Sequence, residues 1–155
     1  GAMASDNLFA LELEIVARLK AVLADRPDVH VLSAIDLAAV TEEKQLLPAL
    51  HVLHRGFAVS TMAGASRADG RVQVLDQEWV VVVASSAKRD LKRGTDGRLQ
   101  AGQLAVRALM ALMGYRCPSA AGPLRLVPGP GGVIENGFQY LPLSFQTMVA
   151  VTATH

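Results

Sequence analysis

Trp79-Val80-Val81-Val82-Val83-Ala84 is an uninterrupted apolar run, and the residues on either side of it decide the fold. Upstream the pattern alternates, with Val72 and Val74 on one face and Gln73 and Leu75 on the other. The span from Arg71 to Ala84 therefore reads as one long strand. Its second half is apolar on both faces, which predicts a central position covered on both sides. Next comes a charged, hairpin-like excursion, Lys88-Arg89-Asp90-Leu91-Lys92-Arg93-Gly94-Thr95-Asp96-Gly97. One helical pattern then runs from Arg98 to Met113, with Leu104, Ala105, Ala108 and Leu112 at 3.6-residue spacing. Ala101, Ala105, Ala108 and Ala111 keep much of that helix small, so it can approach a sheet or a neighbour closely. Gly114 stands where a helix ends in left-handed backbone. Nothing in this stretch is arranged to bind a cofactor or to activate a nucleophile.

Outward from this unit the elements are shorter. Ser5-Asp6-Asn7 supplies capping chemistry, and Leu8, Leu11, Ile15, Leu19 and Val22 follow at helical spacing. Residues 8–25 are predicted helix, with Glu14 and Arg18 as an i,i+4 pair and Arg26-Pro27-Asp28 as the stop. Val29–Leu32 reads as a short strand. Ser33–Gln45 is ambiguous, with room for a helical turn around Ile35–Val40. Pro48–His54 reads as a strand that can continue to Val59, its proline at the start, where a missing N–H is tolerated. Gly64–Gly70 is a turn or loop. Pro118–Pro123 is loop, Leu124–Val127 strand, and Pro128-Gly129-Pro130-Gly131-Gly132 breaks the chain. Phe138–Thr152 is the final strand, with a bend expected near Pro142. The connections between adjacent strands look short. The expected class is α+β: a mostly antiparallel sheet with both main helices on one face.

The composition limits the function classes. At 155 residues the chain is expected to be a single domain over 8–155. Gly1-Ala2-Met3 resembles the scar of a cleaved expression tag, so residues 1–7 are set aside as tag remnant and flexible N-terminus. The apolar fraction of 51% is inflated by 24 alanines; any remaining excess is available for subunit contacts. No run approaches the ~18 apolar residues of a membrane span, and no secretory signal is evident. Fifteen basic and fourteen acidic side chains leave a net charge of +1, which gives no footprint for a membrane or for sequence-specific nucleic-acid binding. The one basic concentration is Lys88, Arg89, Lys92, Arg93 and Arg98, with Asp90 and Asp96 diluting it. It reads either as a solvated loop or as a contact with an acidic partner or DNA. The single Cys117 excludes an internal disulfide and fits a reducing compartment.

Catalytic and metal-binding patterns are incomplete. His51 and His54 form H-x-x-H, but residues three apart on a strand point to opposite faces. They read as ordinary sheet histidines, not as metal ligands. Gly64-Ala65-Ser66-Arg67-Ala68 lacks the fifth-position glycine of a nucleophile elbow, and a strand follows it instead of a helix. Gly129–Gly132 lacks the lysine and hydroxyl of a phosphate loop. Glu42 and Glu43 are adjacent, so neither helix nor strand aims them at one site. Cys117 has no base beside it in sequence, and Trp79 reads as core. No catalytic, cofactor-binding or metal residue is nominated, and no enzyme activity is expected.

The order and spacing of these segments resemble the tail terminator, or tail completion, proteins of tailed bacteriophages and Mu-like prophages. The likeness is carried by the amphipathic N-terminal helix and by Pro48-Ala49-Leu50-His51-Val52. It is carried further by the strand core Gln77–Val83 and by the helix from Ala101-Gly102 to Gly114-Tyr115. The closing element is Tyr140-Leu141-Pro142-Leu143-Ser144-Phe145. Ser33–Gln45 and Pro128–Gly132 have no counterpart in the pattern. The resemblance implies a structural virion protein that forms a ring, usually of six subunits, on the end of the tail tube. Such a ring stops polymerisation and joins the tail to the head connector. It implies as partners the chain itself, the tail tube protein and the connector, with no cofactor. It places the protein in the virion tail and, during assembly, in the host cytoplasm. The basic residues Lys88, Arg89, Lys92, Arg93 and Arg98 are the candidate assembly contacts. The alternatives are a head–tail connector or other neck protein of similar fold, and more remotely a small hydrolase using Ser66 or a histidine. A capping ring needs head-to-tail contacts that close after a fixed rotation, and it needs no catalysis.

Overall fold

A computed structural model of the chain describes residues 6–38, 46–62, 64–87, 89–90 and 95–155. The elements are α1 (Ala10–Val22), β1 (His30–Leu32), α2 (Ala34–Ala38), β2 (Ala49–Val59), β3 (Val72–Ser86), β4 (Arg89–Asp90), β5 (Thr95–Asp96), α3 (Gly97–Leu112), β6 (Arg125–Leu126), β7 (Val133–Glu135) and β8 (Phe138–Thr152). The main sheet is ordered β1-β2-β3-β8-β6, and β7 pairs with β8 beyond the end of β6. Its ladders are antiparallel except β1–β2. That exception has a topological cause. α2 intervenes between β1 and β2, and a connection longer than a hairpin lets the chain return in the same direction.

The apolar run occupies the middle of the sheet. β3 pairs with β2 on one side and with β8 along its whole length on the other, from Val72↔Thr152 to Ser86↔Phe138. Alternation sends Leu75, Trp79, Val81 and Val83 to one face. There they meet Leu50 and Val52 of β2, Phe145 and Val149 of β8, Leu11, Ile15 and Leu19 of α1, and Leu104, Ala108 and Leu112 of α3 in one buried cluster. Both long helices therefore cover the same face, as expected from the sequence. The α3 alanines Ala101, Ala105, Ala108 and Ala111 are all buried, so the small-residue side is the one that meets the core. On the second face Val80 and Ala84 are buried as well. The segment after β6 returns across that face and places the Gly129 backbone against Ser144.

Several local expectations are redirected by tertiary contacts. At the start of α1 the N-cap position is Phe9, and the capping side chain belongs to Asn7, two residues before it. Asn7 Oδ1 accepts from the Phe9 N–H at 2.9 Å, and Asn7 O accepts from Ala10 N at 3.1 Å. Glu14 and Arg18 turn away from each other, toward α3 and the segment that follows it. Glu14 accepts from Ser119 N at 2.8 Å and from Ser119 Oγ at 2.6 Å. Arg18 Nε donates to Ala111 O at 3.0 Å, and its guanidinium lies 4.4 Å from the Tyr115 ring centroid. Gly114 adopts φ +77° and donates its N–H to Leu124 O at 2.8 Å, so the end of α3 is tied to the start of the β6 region. Pro142 sits in a continuous strand, paired with Val82. On the outer edge of β8 it falls between the β7 pairing at Phe138–Tyr140 and the β6 pairing at Phe145–Gln146. A proline is tolerated at such an unpaired edge position.

Candidate assembly surface

The basic residues singled out above are only partly placed. Lys88, Lys92 and Arg93 lie outside the described residues. Arg89 belongs to β4, which pairs with β5 through Arg89↔Asp96 and Asp90↔Thr95. That antiparallel two-residue ladder agrees with the hairpin-like excursion that the sequence suggested; residues 91–94 lie outside the described residues. Arg98 is in the first turn of α3 and exposed. It borders an open cleft of about 690 Å³ with Arg26, Leu99, Gly102, Val106 and Arg107. Two of these arginines already hold carboxylates. Arg107 grips Asp25 through two bonds of 2.8 and 3.0 Å and also donates to Val22 O at 3.0 Å. Arg26 pairs with Asp28 at 2.9 Å. The hydrogen-bonded Arg107 guanidinium holds the Asp25 carboxyl below its ordinary range, and Arg26 does the same for Asp28. The Arg107 bonds link α1 and the turn after it to α3, whereas the Arg26–Asp28 pair lies within that turn; both arginines face the cleft with their charge already matched.

The exposed flank of α3 was missed by the sequence reading. Leu99, Val106, Met110 and Met113 project outward, with Met110 74% exposed. Their spacing of 7, 4 and 3 residues is itself helical and was visible in the sequence. The inward stripe of Leu104, Ala105, Ala108 and Leu112 absorbed the helix's apolar signal and hid the second stripe.

The sheet has two open edges at opposite ends. β1 pairs with β2 only as far as His51, so on the side away from β3 no described strand accompanies β2 from Val52 to Val59. A bulge separates His54 from Phe57, and Gly56 at φ +106° provides the turn. Beyond it Phe57 and Val59 are more than half exposed. At the other end β7 is the outermost described strand, and Val133 and Ile134 are also more than half exposed. Asn136 at φ 53° and Gly137 at φ 81° form the tight turn that joins β7 to β8.

The residues weighed for chemistry lie apart. His54 packs edge-on against Trp79 and Phe9 on the helix-covered face, at 4.8 and 5.2 Å between centroids. His51 is paired with Val82 and so faces the other way. It is 3% exposed, and neither ring nitrogen has a partner among the described residues. Burial pushes both histidines below the ordinary value of 6.5. Ser66 Oγ accepts from the Val74 N–H at 2.8 Å, which ties the 60–71 loop to β3. Cys117 is fully buried, and loss of water around the thiol pushes it up to about 12. Glu42 and Glu43 lie outside the described residues. Among the described residues no three His, Cys, Asp or Glu side chains are grouped to hold a metal ion. Trp79 is core, and its Nε1 donates to Gln77 Oε1 at 3.1 Å. Gln77 Nε2 in turn donates to Leu8 O at 2.8 Å, a buried relay that pins the start of α1 to β3.

Comparison with known proteins agrees with this architecture. A solved structure titled as the virion of a native gene transfer agent particle contains a chain similar to this one. The TM-score is 0.50 at 17% identity, covering 94% of this chain and 99% of that one, a likeness of fold. No curated relative matches the chain in sequence. The family described as phage tail terminator protein matches residues 4–154. That span takes in both helices, the whole sheet and both of its open edges, and the chain belongs to the phage tail terminator family.

Proposed function

We propose that the protein is a subunit of a closed ring, of six copies, that seats on the end of a phage tail tube. There it stops tube polymerisation and presents a surface to the head connector. The observation that carries this reading is the family match over nearly the whole chain. The architecture supports it. A structural ring subunit needs a rigid body, distinct contact surfaces on two sides and an adaptable contact for the tube. The sheet and its helix layer are the rigid body, and the two open edges are distinct surfaces on opposite sides. The basic segment from Lys88 to Arg98 is the proposed tube or neighbour contact. Ring assembly then places the protein in the virion tail after synthesis and assembly in the host cytoplasm. The work is positional, and no catalytic step enters it.

Electron microscopy of tails assembled with and without the protein tests the reading. Tubes of uncontrolled length in its absence, and tubes of defined length capped by a ring in its presence, are expected. Tails of normal length that lack the protein but still fail to join heads would assign it to the connector instead. Sedimentation and cross-linking should be run with and without tubes, because a ring templated by a tube end need not persist on dilution. A strict monomer under both conditions would sink the ring.

A further inference from the structure

Resting on the ring reading, we propose that neighbouring copies join edge to edge: β7 of one subunit pairs with Phe57-Ala58-Val59 of β2 in the next. Three observations carry this. The first is that both edges are unpaired among the described residues and apolar. Val133 and Ile134 project from β7, and Phe57 and Val59 from β2. An edge strand presents a row of unpaired N–H and C=O groups to another chain, and neither three-residue stretch carries the lysine or proline that would block pairing. The second is fit. β7 is three residues long, and the regular stretch of β2 beyond the bulge is also three, Phe57↔Gln77 to Val59↔Leu75. Glu135 on β7 and Arg55 beside the bulge are opposite in charge. Arg55 is only loosely engaged by Glu78, at 3.7 Å.

The third is direction. β2 is antiparallel to β3, β3 to β8, and β7 to β8. In a sheet continued from copy to copy, β7 therefore runs opposite to the β2 it meets, and the junction is an antiparallel ladder. Because the two edges differ and lie at opposite ends of one sheet, the contact is head-to-tail, the kind that closes rings. It also has a built-in stagger. Ala58 stands level with Met148 of β8 through Asp76, whereas Ile134 stands level with Gln139, nine positions away (148 − 139). Successive copies are displaced along the strands, so a closed ring must tilt its strands away from its axis, as in a barrel. α1 and α3, both on one face of the sheet, then form one continuous layer on a single side of the wall.

The test uses engineered cysteines. Ile134→Cys is combined in one chain with Phe57→Cys, Ala58→Cys or Val59→Cys in turn, so that a shift of register is not mistaken for absence of contact. Cys117 is buried and stays out of the exchange. Oxidation under ring-forming conditions should give, for at least one pair, a non-reducing ladder that climbs to the size of the ring. Each single-cysteine chain should stop at dimer or below. Glu135→Arg should abolish rings, and adding Arg55→Glu should restore them; circular dichroism should show all variants folded. Rings seen by electron microscopy without a ladder from any pair would overturn the edge contact and leave the capping reading standing. A ladder on open filaments would support the edge contact and count against a capping ring. No rings and no ladder, even with tube ends present, would overturn both.

Discussion

Burial takes water from both nitrogens of His51, and no described group replaces it. The charged form is the one that suffers, so its folded pKa is depressed. The sign of the linkage follows. Above the ordinary value of 6.5 the ring is neutral in both states and costs nothing extra. As pH falls below that, the unfolded chain takes up the proton first, and stability declines until the depressed folded value is passed. Replacing His51 with Leu is expected to keep or raise stability at neutral pH, because an unpartnered buried polar group is exchanged for an apolar one. It should also flatten the fall in melting temperature between pH 7 and 5, though His54, depressed in the same direction, keeps part of the slope. An unchanged slope in the variant would show that His51 finds a partner in the folded protein. Gly129 makes a steric prediction. A Cβ there would run into Ser144 Oγ and come within 2.8 Å of Ser144 Cβ. Gly129→Ala should cost about 1–3 kcal/mol in chemical denaturation. Ser144→Ala in the same chain should recover part of that loss. Neither site was legible in the sequence, where His51 is an ordinary strand residue and Gly129 one glycine of a turn. Burial and the approach of a remote segment are tertiary facts.

Elements were more legible than their partners. The 3.6-residue stripes located α3 to within one residue at each end and α1 to within two at its start and three at its end, little more than the usual disagreement at frayed ends. The Glu14–Arg18 pair was a fair reading of one helix in isolation, where such pairs contribute only about 0.2–0.5 kcal/mol. Packed against α3, Glu14 gains two hydrogen bonds to Ser119, and Arg18 gains a carbonyl and an aromatic face. Those contacts outweigh the local pair. The reading of Gln73 and Leu75 as one face was correct as alternation, but it left Gln77 unexplained. Only the relay from Leu8 through Gln77 to Trp79 shows why a polar side chain stands in the core stripe. The excursion between β3 and α3 is tethered at Ser86 and at Gly97. Ser85 Oγ, next to the first anchor, donates to Gly97 O at 3.3 Å and holds the two ends together. Charge removal inside the excursion should therefore leave the body of the fold intact. The fourfold change Lys88→Ser, Arg89→Ser, Lys92→Ser and Arg93→Ser is expected to hold the melting temperature near wild type and to impair tube capping. Wild-type capping should itself weaken as salt is raised, because exposed charges are screened beyond about 10 Å at 0.1 M. Normal capping by the fourfold variant at physiological salt would make the excursion a solvated connection and nothing more.

At the scale of the whole molecule, the fold class was legible because the apolar run could only be central, and a central strand needs two neighbours and a covered face. The strand order was not, because sequence periodicity does not say which strands meet. β8 comes last in the chain, yet it pairs with β3 at fifteen positions and carries both β6 and β7 on its other side. It also sends Leu143, Phe145 and Val149 into the core beneath the helices. The sheet is thus split without it: β3 loses one whole edge, β6 and β7 lose the only partner they have among the described residues, and Trp79 loses the Phe145 opposite it. No local pairing substitutes, since β6 and β7 are two and three residues long and two-stranded fragments are marginal in water. A chain that stops before Phe138 is therefore expected to show no cooperative thermal transition. In the intact protein, Trp79 fluorescence and far-ultraviolet circular dichroism should lose signal at the same midpoint, because the single tryptophan sits where both long helices and four strands share one core. Folding should also be slow for this size, in the millisecond-to-second range typical of chains dominated by non-local strand pairing. Supplying residues 138–155 as a separate peptide to the shortened chain should restore the joint transition if the missing strand alone is at fault. A shortened chain that melts cooperatively by itself would mean that α1, α3 and the β2–β3 hairpin form a self-sufficient core, and that the last strand is added to a fold already made.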